Sequence, residues 1–132
     1  MYFGTSINES NVISAKAGAA ITGGAMLAAA MGATGTVGVV STAGAVPVGL
    51  LIAETEASVA AGDDVTVQVK DIGLWTVGAA VDAGALLMSD ANGKAVAATA
   101  GKFVLAQALE AATAAGQVIH VQIIKAGYVP AE

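Results

Sequence analysis

The chain lacks cysteine entirely, and it contains one histidine and few aromatic or basic residues among its 132 residues. Without cysteine it can form neither disulfides nor thiolate metal sites. Five lysine and arginine residues against ten acidic ones give a formal net charge of −5. This balance argues against nucleic-acid binding, because contacts to phosphates need a basic surface. Aromatic residues make up only 4% of the chain, so few large side chains are available to fill a core.

The residue types that carry catalysis or hold metals are equally sparse. His120 is the only histidine, so it cannot form a zinc site from protein ligands alone, and no serine–histidine–aspartate arrangement follows from the spacing. Asp63, Asp64 and Asp71 are interpreted as a charged turn and a strand end, because calcium loops need more oxygen ligands at regular spacing. We therefore expect no enzyme, no catalytic residue, no metal and no cofactor, and we expect His120 to be an ordinary surface or interface residue.

Small apolar residues dominate what is present. Hydrophobic residues make up 56% of the chain, but alanine buries little area, so the core should be thin and open to reinforcement by oligomerisation. Residues 17–53 carry no charge and are long enough to span a bilayer. Their many glycines and threonines insert poorly, however, and the related segment further along the chain contains charged residues. We therefore expect a protein that does not enter a membrane.

The most informative pattern is an internal repeat. Residues 18–27 (GAAITGGAML) recur as residues 78–87 (GAAVDAGALL), with six of ten positions identical. Residues 62–73 (GDDVTVQVKDIG) correspond in the same way to residues 116–127 (GQVIHVQIIKAG). The offset between copies is 60 residues in the first block (78 against 18) and 54 in the second (116 against 62). Two blocks in the same order indicate a duplicated supersecondary unit.

Alternating hydrophobicity predicts that the repeated unit is made of strands. The clearest strand is residues 65–70 (VTVQVK), and the second copy places Ile119, Val121 and Ile123 at the positions of its valines. The turn sequence at residues 90–93 (DANG) predicts a hairpin with residues 85–88 and 94–98 as its arms. Residues 37–40 and 46–52 are also predicted to be strands.

Two segments have a composition that favours helix instead. Residues 25–31 and 105–115 are rich in strong helix formers. Residues 51–61 align with residues 105–115 but suit a helix less well, because they include Thr55 and Val59. For both aligned segments we predict a strand followed by a turn, with a short helical turn as the alternative at residues 105–115.

These observations predict one mainly β domain with a compact, barrel- or sandwich-like architecture. Residues 15–132 form the domain, with repeat 1 at about residues 15–73 and repeat 2 at about residues 74–127, and residues 1–14 form an extended N-terminal arm. Large aromatic residues near chain ends often mediate binding. We therefore predict contact with a partner at five apolar or aromatic positions in the arm, at the junction and in the tail: Tyr2, Phe3, Ile7, Trp75 and Tyr128. For Trp75 the alternative is that it fills the core as its one large side chain.

Four motifs carry a resemblance to a known family. Residues 48–54 (VGLLIAE), 59–69 (VAAGDDVTVQV), 84–95 (GALLMSDANGKA) and 108–116 (ALEAATAAG) resemble the alanine-, glycine- and valine-rich capsid cement, or head decoration, proteins of tailed bacteriophages. The similarity covers roughly residues 15–127. The second copy departs from the family pattern at Gln117, where aspartate is expected, and at Ala106, where glycine is expected.

The resemblance implies a structural virion protein on the exterior of the capsid. Such a protein binds the outer surface of the head as a homotrimer, or alternatively a dimer, and cements neighbouring major capsid subunits without any catalytic residue. Its partners would be the major capsid protein and its own copies, so the five predicted contact residues would meet the capsid or a neighbouring subunit. The alternative is a secreted or surface-displayed β module, such as a segment of a fibre or adhesin.

Overall fold

A computed structural model describes residues 11–22, 26–52 and 58–130, and the strand bounds below refer to these residues. They contain strands and no helix, and accordingly no helix long and apolar enough to cross a bilayer. Twelve strands follow one another along the described chain: β1 Val12–Lys16, β2 Ile21–Thr22, β3 Ala28–Met31, β4 Val37–Val39, β5 Gly49–Leu51, β6 Ser58–Val59, β7 Asp64–Gln68, β8 Asp71–Thr76, β9 Leu86–Ser89, β10 Ala95–Ala97, β11 Phe103–Ala108 and β12 Val118–Tyr128.

The strands form two five-stranded antiparallel sheets and one short two-stranded sheet. Sheet 1 has the order β1-β7-β5-β3-β4, sheet 2 has the order β8-β12-β11-β9-β10, and β2 pairs with β6. The prediction of a mainly β, sandwich-like domain is confirmed. Of the two architectures left open by the sequence, the barrel is not formed, because the described strands make two separate sheets with free edges.

The two sheets are built to the same plan. We call residues 12–68 unit 1 and residues 71–128 unit 2. Reading each sheet from its first strand gives the same order of equivalent strands in both units. A parallel bridge joins Ala17 to Val37 in unit 1, and another joins Val77 to Ala95 in unit 2. The turns that join β3 to β4 and β9 to β10 also correspond, because each contains a glycine with left-handed φ: 85° at Gly35 and 78° at Gly93.

Alternation placed the strongest strands correctly. The predicted strand at residues 65–70 is β7, and the strand around Ile119, Val121 and Ile123 is β12. Val65 and Val67 face the core of unit 1, whereas Ile119, Val121 and Ile123 face that of unit 2. Burial of every second residue is what the pleat of a strand produces, so this pattern was readable without the fold.

The predicted hairpin is also confirmed. Strands β9 and β10 pair around residues 90–93, and Gly93 takes the positive φ that its position in the turn requires. The Asp90 carboxylate accepts hydrogen bonds from the backbone N–H groups of Asn92 and Lys94 at 2.8 and 2.9 Å. An aspartate that caps its own turn in this way favours the turn locally, before any tertiary contact forms.

Strand pairing overrides helix propensity where the composition favoured helix. Residues 105–115 form the end of β11 and then a turn region, which confirms the prediction of a strand followed by a turn. Residues 28–31 are strand β3, which pairs with β4 and β5 on its two sides. Alanine is tolerated there because a small side chain allows the sheets to approach closely. Some of these predicted segments extend over residues 23–25 and 53–57, which lie outside the described residues.

Other strand boundaries differ from the predictions. Residues 37–40 contain β4 as predicted, but the segment 46–52 contains only the three-residue β5. Pro47 explains the shortening, because it has no N–H to donate to a neighbouring strand. Strands β1 and β8 were not predicted. Residues 12–14 of the predicted arm belong to β1 of sheet 1, and the boundary between the predicted repeats at residue 73 falls within β8.

Two hydrophobic clusters hold the sheets together. The smaller cluster lies in unit 1 and includes Ala29, Val37 and Val67. The larger one combines the buried face of sheet 2 with side chains from sheet 1, including Ala28 and Leu50. One face of sheet 1 therefore packs against unit 2, which makes the two units parts of a single core.

Candidate interaction surfaces

The predicted contact residue Trp75 lies in the core. Its side chain is fully buried, and its indole Nε1–H donates a hydrogen bond to the Gly93 carbonyl oxygen at 2.8 Å. An indole with no exposed surface offers nothing to a partner, so the prediction of Trp75 as a contact residue is corrected. In a chain with so few large side chains, its one tryptophan is needed to fill the core between the units.

Tyr128 is the predicted contact residue that the structure places at the surface. Its side chain is 63% exposed at the end of β12, and its ring packs edge-on against Phe103 with centroids 5.5 Å apart. The pair lies where β11 and β12 meet, since Phe103 is opposite Tyr128 in the register. Tyr2, Phe3 and Ile7 lie outside the described residues.

A larger apolar surface covers the solvent-facing side of sheet 2, which we call the outer face of sheet 2. A row of side chains crosses four strands there, because Leu86 is opposite Gln107, Gln107 is opposite Gln122, and Gln122 is opposite Ile72. In the neighbouring row, His120 is opposite Leu74. The large apolar residues on or beside this face are all at least 38% exposed: Ile72, Leu74, Leu86, Leu109, Val118 and Ile124.

Sequence reasoning missed this face, although part of its signal was present. Val118 extends the alternating segment of β12, but its exposed side lies beside the polar residues His120 and Gln122. The remaining members come from strands that are distant in sequence. Only the pairing of β9, β11, β12 and β8 brings them to one surface.

The polar groups form isolated surface pairs. His120 Nδ1 and Glu110 Oε2 are 2.8 Å apart, and both side chains are about half exposed or more. No cluster of three potential metal ligands occurs within residues 11–22, 26–52 and 58–130. His120 therefore lies at the surface as predicted, in a pair whose geometry supports neither a zinc site nor a nucleophile–base pair.

The acidic pair at residues 63–64 is used within sheet 1. Lys16 Nζ lies 2.8 Å from Asp64 Oδ1, and the two residues are opposite each other in the β1–β7 register. The hydrogen bond and the charge of Asp64 raise the pKa of Lys16 above its ordinary value of 10.5. Asp63 Oδ2 accepts a bond from the Ala60 N–H at 3.3 Å. These contacts support the interpretation as a charged turn.

An apolar groove lies where the two units meet. It has a volume of about 370 Å³ and is lined by residues of both units, including Leu51, Ile52 and Leu74. Gln68 forms part of its wall, and the Gln68 side-chain amide donates hydrogen bonds to the carbonyl oxygens of Lys70 and Ile72. The described residues that line the groove carry no charge, so they provide an apolar contact surface.

Backbone hydrogen bonds define the junction between the units. The Gly93 carbonyl oxygen accepts a second bond, from the Ala28 N–H of sheet 1 at 2.8 Å, in addition to that from Trp75. A further bond runs from the Gly44 N–H to the Ser89 carbonyl oxygen, also at 2.8 Å. Two turns, at residues 90–93 and 42–45, therefore join the units through backbone hydrogen bonds.

Comparison with known proteins shows similarity at the level of the fold. No family model matches the chain, and no curated protein matches it. Among solved structures, the chain is similar to the N-terminal base of the head fiber protein gp8.5 of bacteriophage phi29, with a TM-score of 0.64 and 18% sequence identity. The match covers 91% of this chain and 98% of the phage chain, so the two share their fold over nearly their whole length.

Proposed function

We propose that this chain is a structural protein of a phage head, located on the exterior of the capsid. The observation that carries the proposal is the shared fold with the base of a phage head fiber over 91% of the chain. The cement-protein motifs in the sequence point to the same class of protein independently. The acidic net charge of −5 suits an outer surface, away from packaged DNA.

The proposed action is to bind across neighbouring major capsid subunits and stabilise the head. A cementing protein needs interface area more than reactive groups, because its contribution is the free energy of added contacts. The exposed aliphatic residues of the outer face of sheet 2 and the exposed ring of Tyr128 provide such area. Apolar residues surrounded by polar ones are typical of protein interfaces. We infer a purely structural role without enzymatic activity.

We further propose that the chain contains two copies of one β unit and acts as a homotrimer, with a dimer as the alternative. The matched strand order and the matched parallel bridges support the duplication. Oligomerisation is supported by the thin core of small side chains, since further apolar burial between copies adds stability that alanine-rich sheets lack.

The test is binding to expanded heads of the phage that encodes the chain. Purified protein is mixed with heads that lack it, and the heads are sedimented. We expect saturable binding and heads that resist heating at higher temperature than undecorated ones. Unexpanded heads provide the control. A protein that stays in the supernatant with both kinds of head would contradict the proposal and favour the surface-displayed β module instead.

Tyr128→Ala tests the proposed contact at the tail. Loss of an anchoring aromatic side chain at an interface costs about 2 kcal/mol or more, which corresponds to at least roughly a 30-fold weaker affinity for heads. The matched control is Val96→Ala, a change on the edge strand β10 that removes a partly exposed apolar side chain from a different surface. Equal binding by the two variants would place the contact elsewhere.

A further inference from the structure

We propose that copies of this chain associate head to tail, through surfaces equivalent to those that join its two units. This inference deepens the proposed function, because it rests on the proposed oligomer and names its interface. The occupant of the surface is a second copy of the chain. Each half of the junction within the chain has a counterpart in the other unit.

The first half of the junction is the turn at residues 90–93. A Cβ placed on Gly93 would lie 2.6 Å from Val39 Cγ1 and 3.3 Å from Leu27 Cβ, so this turn is in close contact with unit 1. The equivalent turn, at residues 32–35, has the same left-handed glycine and the same closing hydrogen bond, from Gly35 N–H to Gly32 O at 3.1 Å. A Cβ on Gly35 would meet no atom of the described residues within 4 Å. The equivalent turn is therefore free to contact another molecule.

The surface that receives the turn also has an exposed counterpart. Ala28 is fully buried beneath unit 2, whereas Leu86, at the equivalent position of strand β9, is 46% exposed. In the hairpin register that matches Gly35 to Gly93, an offset of 58 residues in place of the 60 of the sequence repeat, Leu27 and Val39 of unit 1 correspond to Ala85 and Ala97 of unit 2. Both sets of three residues are wholly apolar. The outer face of sheet 2 can thus accept the turn at residues 32–35 of a second copy beside Leu86.

The second contact of the junction, made by Gly44 of unit 1, also has exposed counterparts. Gly44 packs so closely against Lys102 of unit 2 that a Cβ would lie 2.3 Å from Lys102 Cδ, but its counterpart Gly101 borders open space. Ser89, which receives Gly44, is fully buried, but its counterpart Met31 is 48% exposed. Met31 and Gly35 of unit 1 and Leu86 and Gly101 of unit 2 are therefore exposed on one chain, whereas Ala85 is partly buried against the core.

Two backbone groups depart from the equivalence. The Gly101 N–H is bound by the Val129 carbonyl oxygen at 2.9 Å, and the Gly84 carbonyl oxygen is bound by the Gln107 side chain at 3.1 Å. The corresponding backbone N–H and carbonyl groups of unit 1 form hydrogen bonds with unit 2 instead. We therefore expect association between copies to depend mainly on apolar contacts at Leu86 and Met31, and to be weaker than the junction within the chain.

A contact between two different surfaces of one chain is heterologous. Such contacts close into rings when the rotation between copies permits and otherwise form open chains. Each copy would use the unit 1 surface around Met31 and Gly35 on one side and the unit 2 surface around Leu86 on the other.

The experiment measures molar mass in solution by size-exclusion chromatography with light scattering. We expect the wild-type chain to have a mass of several chains, and Leu86→Glu and Met31→Glu each to have the mass of one chain. An equimolar mixture of the two variants retains one intact pair of surfaces, so it should form a two-chain complex and nothing larger. Only a heterologous interface gives this complementation.

The control is Ala114→Glu, which introduces the same charge in the turn before β12. Ala114 belongs to neither proposed surface, and both Ala114 and its counterpart Ala60 are exposed. This variant should keep the wild-type mass. Far-UV circular dichroism confirms that each variant is folded, and Met31→Glu keeps the test valid if Leu86→Glu does not fold. A wild-type chain with the mass of one chain, variants with wild-type mass, or a mixture without complementation would each overturn the inference. A one-chain protein that still binds phage heads would overturn it and leave the proposed function standing.

Discussion

At the scale of single residues, the junction between the units depends on one carbonyl oxygen and the groups around it. Gly93 O accepts hydrogen bonds from both the Trp75 indole and the Ala28 N–H. Each donor is buried, so the loss of either bond leaves a polar group without water or a partner. The sequence identified residues 90–93 as a turn and left Trp75 open between a contact and a core residue. Only the burial of the indole decided that question.

Trp75→Phe should destabilise the chain by about 2–3 kcal/mol. The change removes the indole hydrogen bond to Gly93 O and leaves unfilled volume in the core. Chemical denaturation followed by circular dichroism measures the effect, since the variant lacks the only tryptophan. Tyr128→Phe is the control and should change the unfolding free energy by less than about 0.5 kcal/mol, because Tyr128 is exposed. A Trp75→Phe variant with the unfolding free energy of the wild type would show that the indole hydrogen bond contributes little.

Gly93→Ala should be destabilising for two separate reasons. Alanine is strained at the φ of 78°, and its Cβ would lie 2.6 Å from Val39 Cγ1 and 3.1 Å from Ala28 O. Together these effects should cost about 2–4 kcal/mol of unfolding free energy. Gly62→Ala isolates the first effect, because Gly62 has a φ of 89° and open space around it, and it should cost about 1 kcal/mol. Equal losses for the two variants would argue against close packing at the junction.

At the scale of elements, strands with alternating hydrophobicity were predictable. Of the four edge strands, β4 and β10 were predicted and β1 and β8 were not. Strands β7 and β12 bury every second side chain, and this period is visible in the sequence. By contrast, β1 has irregular burial. Strand β8 alternates in burial but not in hydrophobicity, because its exposed positions are Ile72 and Leu74 and one buried position is Gly73. Strand β3 consists mostly of alanine, and its state is set by its two neighbours and not by its own propensity.

The edge strand β1 offers a test based on pH. Hydrogen bonding and the charge of Asp64 raise the pKa of Lys16 above 10.5. A group with a raised folded-state pKa adds stability below its unfolded pKa, and this contribution is lost as the pH rises through the folded value. Side-chain NMR titration should give a pKa of Lys16 above 10.5 in the wild type and a lower value in Asp64→Asn. An unchanged pKa of Lys16 in that variant would contradict the pairing of β1 with β7 through these side chains.

At the scale of the whole molecule, the two units share a core and should unfold together. Leu50 belongs to sheet 1 but is buried in the cluster that contains Trp75 and Leu87 of unit 2. Leu50→Ala should therefore cost about 2–5 kcal/mol. It should also shift Trp75 fluorescence and circular dichroism to the same lower denaturant midpoint. The half-exposed Ile52 provides the control as Ile52→Ala, with a smaller loss. Separate transitions for the two signals would mean that the units fold independently.

The sequence by itself determined the mainly β class, the hairpin at residues 90–93 and the strands with a period of two. These features depend on local periodicity and turn chemistry, which a chain expresses before it folds. The tertiary structure alone decided that sheet 1 packs against unit 2, that Trp75 is buried and that the outer face of sheet 2 is exposed. Those outcomes depend on contacts between residues far apart in the chain. In a chain rich in alanine, glycine and valine, the side chains are similar in size. The sequence therefore does not distinguish which faces of the two sheets pack against each other.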